Sequence, residues 1–363
     1  MSNRTRMHRP FSPSSHPRTL QQWLGLPGIG LLLILVACSL APFQSQPSTS
    51  IRPTPTPDFL LHTTAITTMQ TLAAYKQLIT QAQTYGAEVA EDQQHLAQDQ
   101  QDAAQAQTVQ AYQALTARIQ GQMSSLRLHM LPAKTGYDLQ QLQALIGQTD
   151  IINDYEYRDA DDALLPLQER LHDATTTQDF QQIDDQAQIL LTNLQALLAN
   201  LNDQTPHEQA HITDLHLITT YHLTGKVMVV ALTEQTLRMY QDGVLVGMIL
   251  VVTGQPAAQT PPGLWHILTK ETNVTFTSGE KPGSPLWYPD THINYAMKYK
   301  EWGYYLHDAT WRRDFGPGTN LPHDDYTAPG YSNVGSHGCI NMSLDDIRQL
   351  FDWAEIGIPV IVY

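Results

Sequence analysis

Cys339, one of two cysteines in this chain of 363 residues, has neighbours that suit nucleophilic catalysis. It lies in segment 336–341, which reads SHGCIN. A cysteine attacks as the thiolate, so a base must accept the thiol proton. His337 precedes Cys339 by two residues and shares its face in an extended segment, whereas His307 ends an apolar run and could project from a strand end. These residue types make Cys339 a candidate thiolate nucleophile with a histidine base, and they leave the choice of base open.

The other cysteine, Cys38, ends a segment with the order of a secretory signal: a basic stretch, then the apolar run Trp23–Ala37. The run is shorter than the roughly 20 residues that a spanning helix needs. Its end, LVAC, resembles the lipobox of bacterial lipoproteins, which implies that residues 1–37 are a signal peptide and that Cys38 carries the lipid. An uncleaved anchor with a chance cysteine is the alternative. With Cys38 lipidated outside the cytoplasm, Cys339 has no disulfide partner and is a candidate reactive thiol.

Charge and composition exclude one class of partner. The formal net charge is −15, with 15% charged residues. Nucleic-acid binding needs clustered Lys and Arg, so we expect no nucleic-acid partner.

Residues 38–58 are rich in Pro, Ser and Thr, which is typical of an extended linker.

Residues 59–205 predict an all-α region, because apolar residues recur at spacings of three and four. Breakers at Gly86, Gly121, 132–136 and Gly147 predict four or five helices, arranged as an antiparallel bundle or hairpin array. The acidic clusters Asp159–Asp162 and Asp184-Asp185 lack the spacing of a calcium loop, so solvated helix faces or helix starts are expected there. We expect this region to act as a spacer or as a module that binds the wall or a protein partner.

The connector, residues 206–224, contains His207-Glu208-Gln209-Ala210-His211, which matches the HExxH pattern of zinc peptidases. Pro206 places His207 at a helix start at best, and no third ligand stands out. A solvated linker is therefore the preferred interpretation, and a zinc peptidase is kept as an alternative.

Residues 225–363 predict a mainly β domain. The run Lys226–Leu232 is rich in β-branched residues, Gln241-Asp242-Gly243 is a hairpin turn signal, and the chain ends in the strand-like Ile358–Tyr363. Ser343 is the predicted N-cap of a helix that extends to Glu355. The fold class is therefore α+β: an N-terminal helical region followed by a mainly β domain.

The C-terminal domain resembles the catalytic domain of L,D-transpeptidases, the YkuD family. The matching pieces, in order, are the 241–243 turn, the turn Thr260-Pro261-Pro262-Gly263, the segment 305–311 (YLHDATW), the SHGC block and the last strand. The resemblance implies that Cys339 is the nucleophile, that His307 is the base, and that no metal or other cofactor is needed. It also implies that Ser336, His337 and Gly338 shape the site and that Trp311, Asn341 and Asp308 line it.

The family also implies how the base is oriented. A backbone carbonyl after the histidine, here that of Asp308, would fix its tautomer, although the Asp308 carboxylate remains an alternative. Backbone N–H groups around Gly338 and Cys339 would bind the oxyanion. The stretch from Phe315 to Tyr331 is longer than in many members and is interpreted as a lid or substrate loop. Within it, His323-Asp324-Asp325 is expected to be solvated, with weak metal binding as an alternative.

The implied reaction is cross-linking of peptidoglycan stem peptides by an enzyme anchored outside the cytoplasm and facing the cell wall. With water as acceptor the same site would be an L,D-carboxypeptidase. Another cysteine acyl-hydrolase and a non-enzymatic wall-binding lipoprotein are the remaining alternatives.

Overall fold

The computed structural model describes residues 57–148, 157, 163–284, 286–324 and 332–363. The predictions for the signal peptide, for Cys38 and for most of the linker lie outside the described residues. So do those for Asp159–Asp162 and for 325–331. Among the described helices, none combines the length and the apolar character needed to cross a bilayer.

Eight helices are found in the described residues. They are α1 Pro57–Thr84, α2 Ala90–Gln105, α3 Val109–His129, α4 Leu131–Ile146, α5 Leu164–Asp173, α6 Thr177–Asn200, α7 Ile212–Thr220 and α8 Leu344–Trp353. The described strands are β1 Lys226–Ala231, β2 Thr236–Gln241, β3 Val244–Leu250, β4 Gly263–His266, β5 Thr269–Phe276, β6 Thr291–Lys300, β7 Tyr304–Asp308, β8 His323–Asp324, β9 Ser332–Asn333, β10 Ile340–Met342 and β11 Pro359–Val362.

The first three helices share a core of their own. Apolar residues of α1 at three- and four-residue spacing pack against α2 and α3, and Tyr75 donates a hydrogen bond of 2.8 Å to buried Asp92. Thr108 caps α3, since its side chain accepts from the Ala111 N–H. The buried set is Leu72, Tyr75, Leu78, Ile79, Ala82, Val89, Ala103, Leu115, Ile119, Met123, Leu126 and Met130.

The remaining N-terminal helices belong to a second core, which they share with the β domain. The apolar stripe of α6 is buried, as predicted, and its partners include the outer face of the sheet that contains β1 and β11. Asn193 of α6 also donates to the Val362 carbonyl at 2.8 Å. The predicted helical region is therefore divided between two cores, and α4 to α7 support the β domain.

Two large sheets of the C-terminal domain enclose a third core, and β8 pairs with β9 in a separate two-stranded sheet. The first has the order β3-β2-β1-β11-β4, and the second has the order β10-β7-β6-β5. Strand β1 is buried on both faces: Val227 and Val229 face the helices, whereas Met228 and Val230 face the core between the sheets. This double burial explains the continuous apolar run of β1 in the sequence.

Helix α8 begins as predicted. Ser343 is its N-cap and accepts from the Asp346 N–H at 3.1 Å. Ile347 and Leu350 of α8 are fully buried in the core between the two sheets. The mainly β fold predicted for the C-terminal region is confirmed.

Two predictions for the helical region are wrong. Six helices, not four or five, are found among the described residues before the connector, because α2 ends at Gln105 and α5 at Asp173 without a Gly or Pro breaker. Gly121 and Gly136, which were predicted to break helices, lie inside α3 and α4. Asp184 is not solvated. It is 8% exposed and accepts from the Lys134 ammonium at 2.7 Å, so the acidic pair partly serves a buried ion pair.

The connector is also more ordered than a solvated linker. His207 and Glu208 lie in a turn, and α7 begins only at Ile212, so the HExxH pattern does not form a helical pair. His211 is fully buried, with its Nδ1 3.1 Å from a carboxylate oxygen of Asp203. Within the described part of the chain, no group of three or more His, Cys, Asp or Glu residues is arranged to hold a metal ion.

Candidate active site

Strands β7 and β10 bring the predicted catalytic residues together. The two strands are parallel neighbours, with Asn341 opposite His307 and Ile340 opposite Leu306. Residues that alternate along a strand share a face, and paired residues of adjacent strands share it too. Cys339 lies in the bend directly before β10, beside the start of β7, where the Tyr305 N–H contacts its sulfur. Leu306 and Ile340 fill the core on the side of the sheet opposite His307.

The loop that presents Cys339 depends on a glycine. Gly338 has φ +103°, and a Cβ atom there would lie 2.7 Å from the Tyr304 ring and 3.1 Å from the Gln259 carbonyl. Neither the backbone conformation nor the space admits a side chain. Thr260 holds this position, since its hydroxyl donates to the Gly338 carbonyl at 2.9 Å and accepts from the Gly254 N–H at 2.9 Å.

The Ser336 side chain forms hydrogen bonds within the same loop. Its hydroxyl donates to the Cys339 carbonyl and accepts from the Gly338 N–H at 3.1 Å. Its backbone is bound on both sides, to the Thr253 carbonyl and the Gln255 N–H. The Gly338 amide is therefore already engaged within the loop, which contradicts the expectation that it is an oxyanion donor. The Cys339 amide remains the candidate for that role.

His307 is held as a neutral base. Its side chain is 5% exposed, and Nδ1 lies 2.8 Å from the Asp308 carbonyl. A carbonyl can only accept, so Nδ1 carries the proton and Nε2 keeps the lone pair. Burial lowers the pKa of His307 from 6.5 to about 4, despite the opposing effect of the Asp308 carbonyl. At neutral pH the ring can therefore accept a proton.

The Asp308 carboxylate is occupied elsewhere. It is fully buried and accepts from the backbone N–H groups of Asn294 and Tyr295, and from the Asn294 amide at 2.7 Å. Of the two groups that the sequence left open, the backbone carbonyl is thus the one that contacts His307. The carboxylate instead fastens the end of β7 to β6.

Cys339 is half-buried and forms no disulfide with any residue that the structure describes. Its thiol lies 3.6 Å from the Gly303 carbonyl, and the Tyr305 backbone N–H points to the sulfur. Loss of solvent raises the pKa of Cys339 from 9.0 to about 11, more than the Tyr305 amide lowers it. At neutral pH Cys339 is therefore a thiol and His307 a neutral imidazole.

Aromatic rings surround both catalytic groups. The His307 ring lies 5.2 Å from Phe276 and 6.2 Å from Trp311, which is 47% exposed. His337 is exposed, and its ring lies 5.2 Å from Tyr288. Partial loss of solvent around its ring, and then the nearby Arg312 charge, lowers the pKa of His337. This position at the rim is compatible with the shaping role that the resemblance implies.

Asn341 has an unused polar atom in the site. The residue is 2% exposed, its backbone pairs with Val252, and its side-chain Oδ1 has no hydrogen-bond partner among the described residues. A buried amide oxygen without a partner is costly unless a ligand or water completes it. Since Asn341 lies opposite His307, it suits the substrate-binding role predicted for it.

Sequence reasoning missed part of the site. Tyr288, Tyr299 and Tyr305 lie close enough to Cys339 that its charge helps to raise their pKa values, although burial has the larger effect. Tyr305 opens the segment 305–311 but was given no role, and the sequence around Tyr288 and Tyr299 carries no motif that would single them out. The sequence indicated Thr260 only as part of a turn, and its hydrogen bond to the Gly338 carbonyl is seen only in the structure.

The predicted lid is described only in part. Residues 316–320 pack on the end of β3, where the Gly316 N–H donates to the Val251 carbonyl at 3.0 Å. His323 is not fully solvated, since it is half-buried and its Nε2 lies 2.7 Å from the Asp314 carboxylate. A lid role for this stretch stays a prediction.

Comparison with known proteins identifies the domain that carries this site. Residues 225–362 match the YkuD family model, described as the L,D-transpeptidase catalytic domain. L,D-transpeptidase 1 of Mycobacterium tuberculosis is 30% identical over 137 residues, which cover 37% of this chain and 49% of that protein. Probable L,D-transpeptidase 3 of the same organism is 34% identical over 125 residues, covering 34% of this chain and 39% of that protein.

Solved structures show the same coverage. The Enterococcus faecium L,D-transpeptidase C442S mutant is 28% identical, with a TM-score of 0.32, and the match covers 38% of this chain and 50% of that one. The chain thus spans about half the length, or less, of the curated relatives it matches. These matches concern the C-terminal domain.

Proposed function

We propose, from the L,D-transpeptidase catalytic domain that residues 225–362 match, that this chain cross-links peptidoglycan stem peptides through a thioester on Cys339. The observation that carries the proposal is the His307 contact. Because Nδ1 donates to the Asp308 carbonyl, Nε2 is the basic atom of a neutral ring on β7, the strand whose Tyr305 N–H contacts the Cys339 sulfur.

In the first half-reaction, His307 Nε2 takes the proton of the Cys339 thiol as sulfur attacks a carbonyl of the donor stem. The attacked carbonyl is the one that joins the third residue to the terminal D-Ala. The Cys339 amide is proposed to bind the oxyanion. The C–N bond then breaks, His307 returns the proton to the amine of the leaving D-Ala, and a thioester remains.

In the second half-reaction, an amine of a neighbouring stem attacks the thioester. His307 accepts a proton from that amine and returns it to the Cys339 sulfur as the C–S bond breaks. The product joins two third-position residues, and the free thiol is restored. Water in place of the amine would give L,D-carboxypeptidase activity from the same site.

The buried groups around the pair have supporting roles in this proposal. Asn341 Oδ1 would receive a hydrogen bond from the substrate backbone, because it lies unpartnered in the site. Ser336 and Gly338 fix the loop, and His337 and Trp311 line the entrance. The Cys339 pKa of about 11 keeps the resting thiol protonated until a carbonyl is in place.

The proposed location is outside the cytoplasm, facing the wall, with the chain held to the membrane by lipid on Cys38. Residues 1–37 would be the signal peptide and 38–58 the linker. The domain limits 59–205, 206–224 and 225–363 are proposals as well, with the helical region as a spacer or binding module.

Acylation by a carbapenem tests the nucleophile. Purified protein is incubated with imipenem, and intact mass is measured. We expect one adduct with the full mass of imipenem, because opening of the lactam by a thiol loses no atoms. The chain provides its own matched pair: Cys339→Ala should abolish the adduct, whereas Cys38→Ala should keep it. An adduct that survives Cys339→Ala would refute the assignment.

Turnover of purified tetrapeptide stems tests the reaction. Formation of stem dimers with release of D-Ala would support the proposal. Hydrolysis without dimers would instead indicate an L,D-carboxypeptidase or another cysteine acyl-hydrolase. The absence of both would favour a non-enzymatic wall-binding lipoprotein, and loss of activity on chelation would favour a zinc peptidase.

A further inference from the structure

Trp302 occupies an unfavourable position at the tip of the β6–β7 connection. Its side chain is 86% exposed, and its backbone has φ +67°. Few bulky residues adopt this left-handed backbone conformation, which Gly and Asn adopt more readily. Folding therefore gains little from this indole, since the ring is not buried and the backbone is strained.

The same turn touches the nucleophile. The residue after Trp302 is Gly303, whose carbonyl lies 3.6 Å from the Cys339 sulfur. The pairing of β6 with β7 shifts register between Lys298 and Lys300, just before the turn. A shift of this kind redirects the chain locally. In this turn the exposed Trp302 indole is one residue away from Gly303, whose carbonyl contacts the Cys339 sulfur.

Two more exposed tryptophans flank the site. Trp311 is 47% exposed and contacts the His307 ring. Trp287 is 40% exposed and precedes Tyr288, which packs on His337. Single exposed apolar side chains are ordinary, but several at one active site indicate a binding surface. Trp302, Trp287 and Trp311 are called the tryptophan rim below.

We propose that Trp302 is the part of the tryptophan rim that binds a sugar ring of the glycan strand, and so selects donor stems still attached to their saccharide. This inference rests on the proposed function and names a further part of its substrate. Trp311 is already engaged with His307, whereas the Trp302 indole has most of its surface available.

The chemistry of the substrate favours a sugar over the peptide for this contact. A D-Ala residue and the stem backbone offer little flat apolar surface, whereas a sugar ring presents a face of C–H groups that can pack on an indole. The distance is also suitable. Three extended residues between the attacked carbonyl and the saccharide span about 10 Å, which is within reach of a large side chain one residue from Gly303.

The experiment compares two donors with the full chain: the free tetrapeptide stem and the same stem on its disaccharide. The readout is the ratio of the two kcat/KM values. We expect the wild-type ratio to favour the disaccharide-linked donor by about 3- to 10-fold, the range of one aromatic contact. Trp302→Asn, which suits the left-handed backbone, should bring the ratio close to 1, and Trp302→Phe should restore most of it.

Ile212→Asn is the matched control, because Ile212 is 82% exposed but lies on α7, away from the site. It should keep the wild-type ratio. A wild-type ratio near 1, or an unchanged ratio in Trp302→Asn, would overturn the inference. An equal loss with both donors would assign Trp302 to the peptide or the turn, and would overturn it as well.

A binding measurement separates this inference from the proposed function. Saturation-transfer NMR with the free disaccharide, on the full chain, should show transfer to the sugar C–H groups that is lost in Trp302→Asn. If wild type turns over neither donor, the proposed function fails while this measurement still decides the inference. Equal transfer in both proteins would refute it.

Discussion

Because neutral His307 is buried in the candidate site, the free energy of unfolding should decrease at acidic pH. His307 is almost fully enclosed, and its pKa falls from 6.5 in the unfolded chain to about 4 in the folded one. Between these two values the unfolded chain binds more protons than the folded one. The free energy of unfolding therefore decreases as pH falls from about 6.5 towards 4. Above about pH 6.5 the stabilisation that comes from the lowered pKa of His307 is fully present.

The size of the effect follows from the two pKa values. The full shift corresponds to about 3 kcal/mol, at 1.36 kcal/mol per pKa unit, and about 2 kcal/mol of it is already lost at pH 5. For a domain with a total stability of roughly 5–15 kcal/mol, a loss of this size is easily measured.

The assay is urea unfolding at pH 7 and pH 5, with wild type and His307→Gln. Glutamine does not titrate, so the variant should lose about 2 kcal/mol less than wild type over this range. Other groups titrate equally in both proteins and cancel in the difference. His292→Gln, an exposed position on the same sheet, is the control and should behave as wild type does. Equal losses in wild type and His307→Gln would refute the buried neutral base.

Three further predictions concern the catalytic pair and its loop. The rate of imipenem acylation, followed by stopped-flow, should rise with pH through about 4 and be flat from about pH 5 to pH 9, because His307 must be neutral to accept the thiol proton; a midpoint near 6.5 would contradict the buried base. Gly338→Ala should slow acylation by about tenfold or more, since its Cβ would meet the Tyr304 ring at 2.7 Å in a strained backbone, and wild-type kinetics would contradict this. Thr260→Val should reduce the free energy of unfolding by about 1–3 kcal/mol in urea titrations, through loss of its bonds to Gly338 and Gly254; an unchanged midpoint would show that these bonds are not needed.

The sequence pointed to a candidate site through local motifs, and the catalytic roles of its residues stay predictions. The segment 336–341 and the run ending at His307 fall on adjacent strands, as a shared active site requires. Ser343 caps α8 because N-cap preference is a local property. Predictions of this kind depend on a few neighbouring residues, which is why they survive in the folded protein.

Other features depend on contacts between residues far apart in sequence. Asp184 and His211 looked solvated by composition, but tertiary partners bury both of them. The end of α2 at Gln105 contains neither Gly nor Pro and was not predicted. Likewise, the choice between the two groups of Asp308 depends on Asn294 of β6, which no local pattern connects to it.

The catalytic domain also depends on helices outside the matched residues. The outer face of β1 and β11 is covered by α6 and α7, and Asp214 of α7 accepts from three buried side chains of the β domain: Arg238, Tyr240 and Tyr363. Arg238 also pairs with Glu234, so without Asp214 it would keep one carboxylate partner and lose the fully buried one. A fragment limited to 225–363 would expose the apolar face of β1 and leave Arg238 without Asp214. The sheet that contains β1 and β11 therefore depends on α6 and α7 for the burial of its outer face.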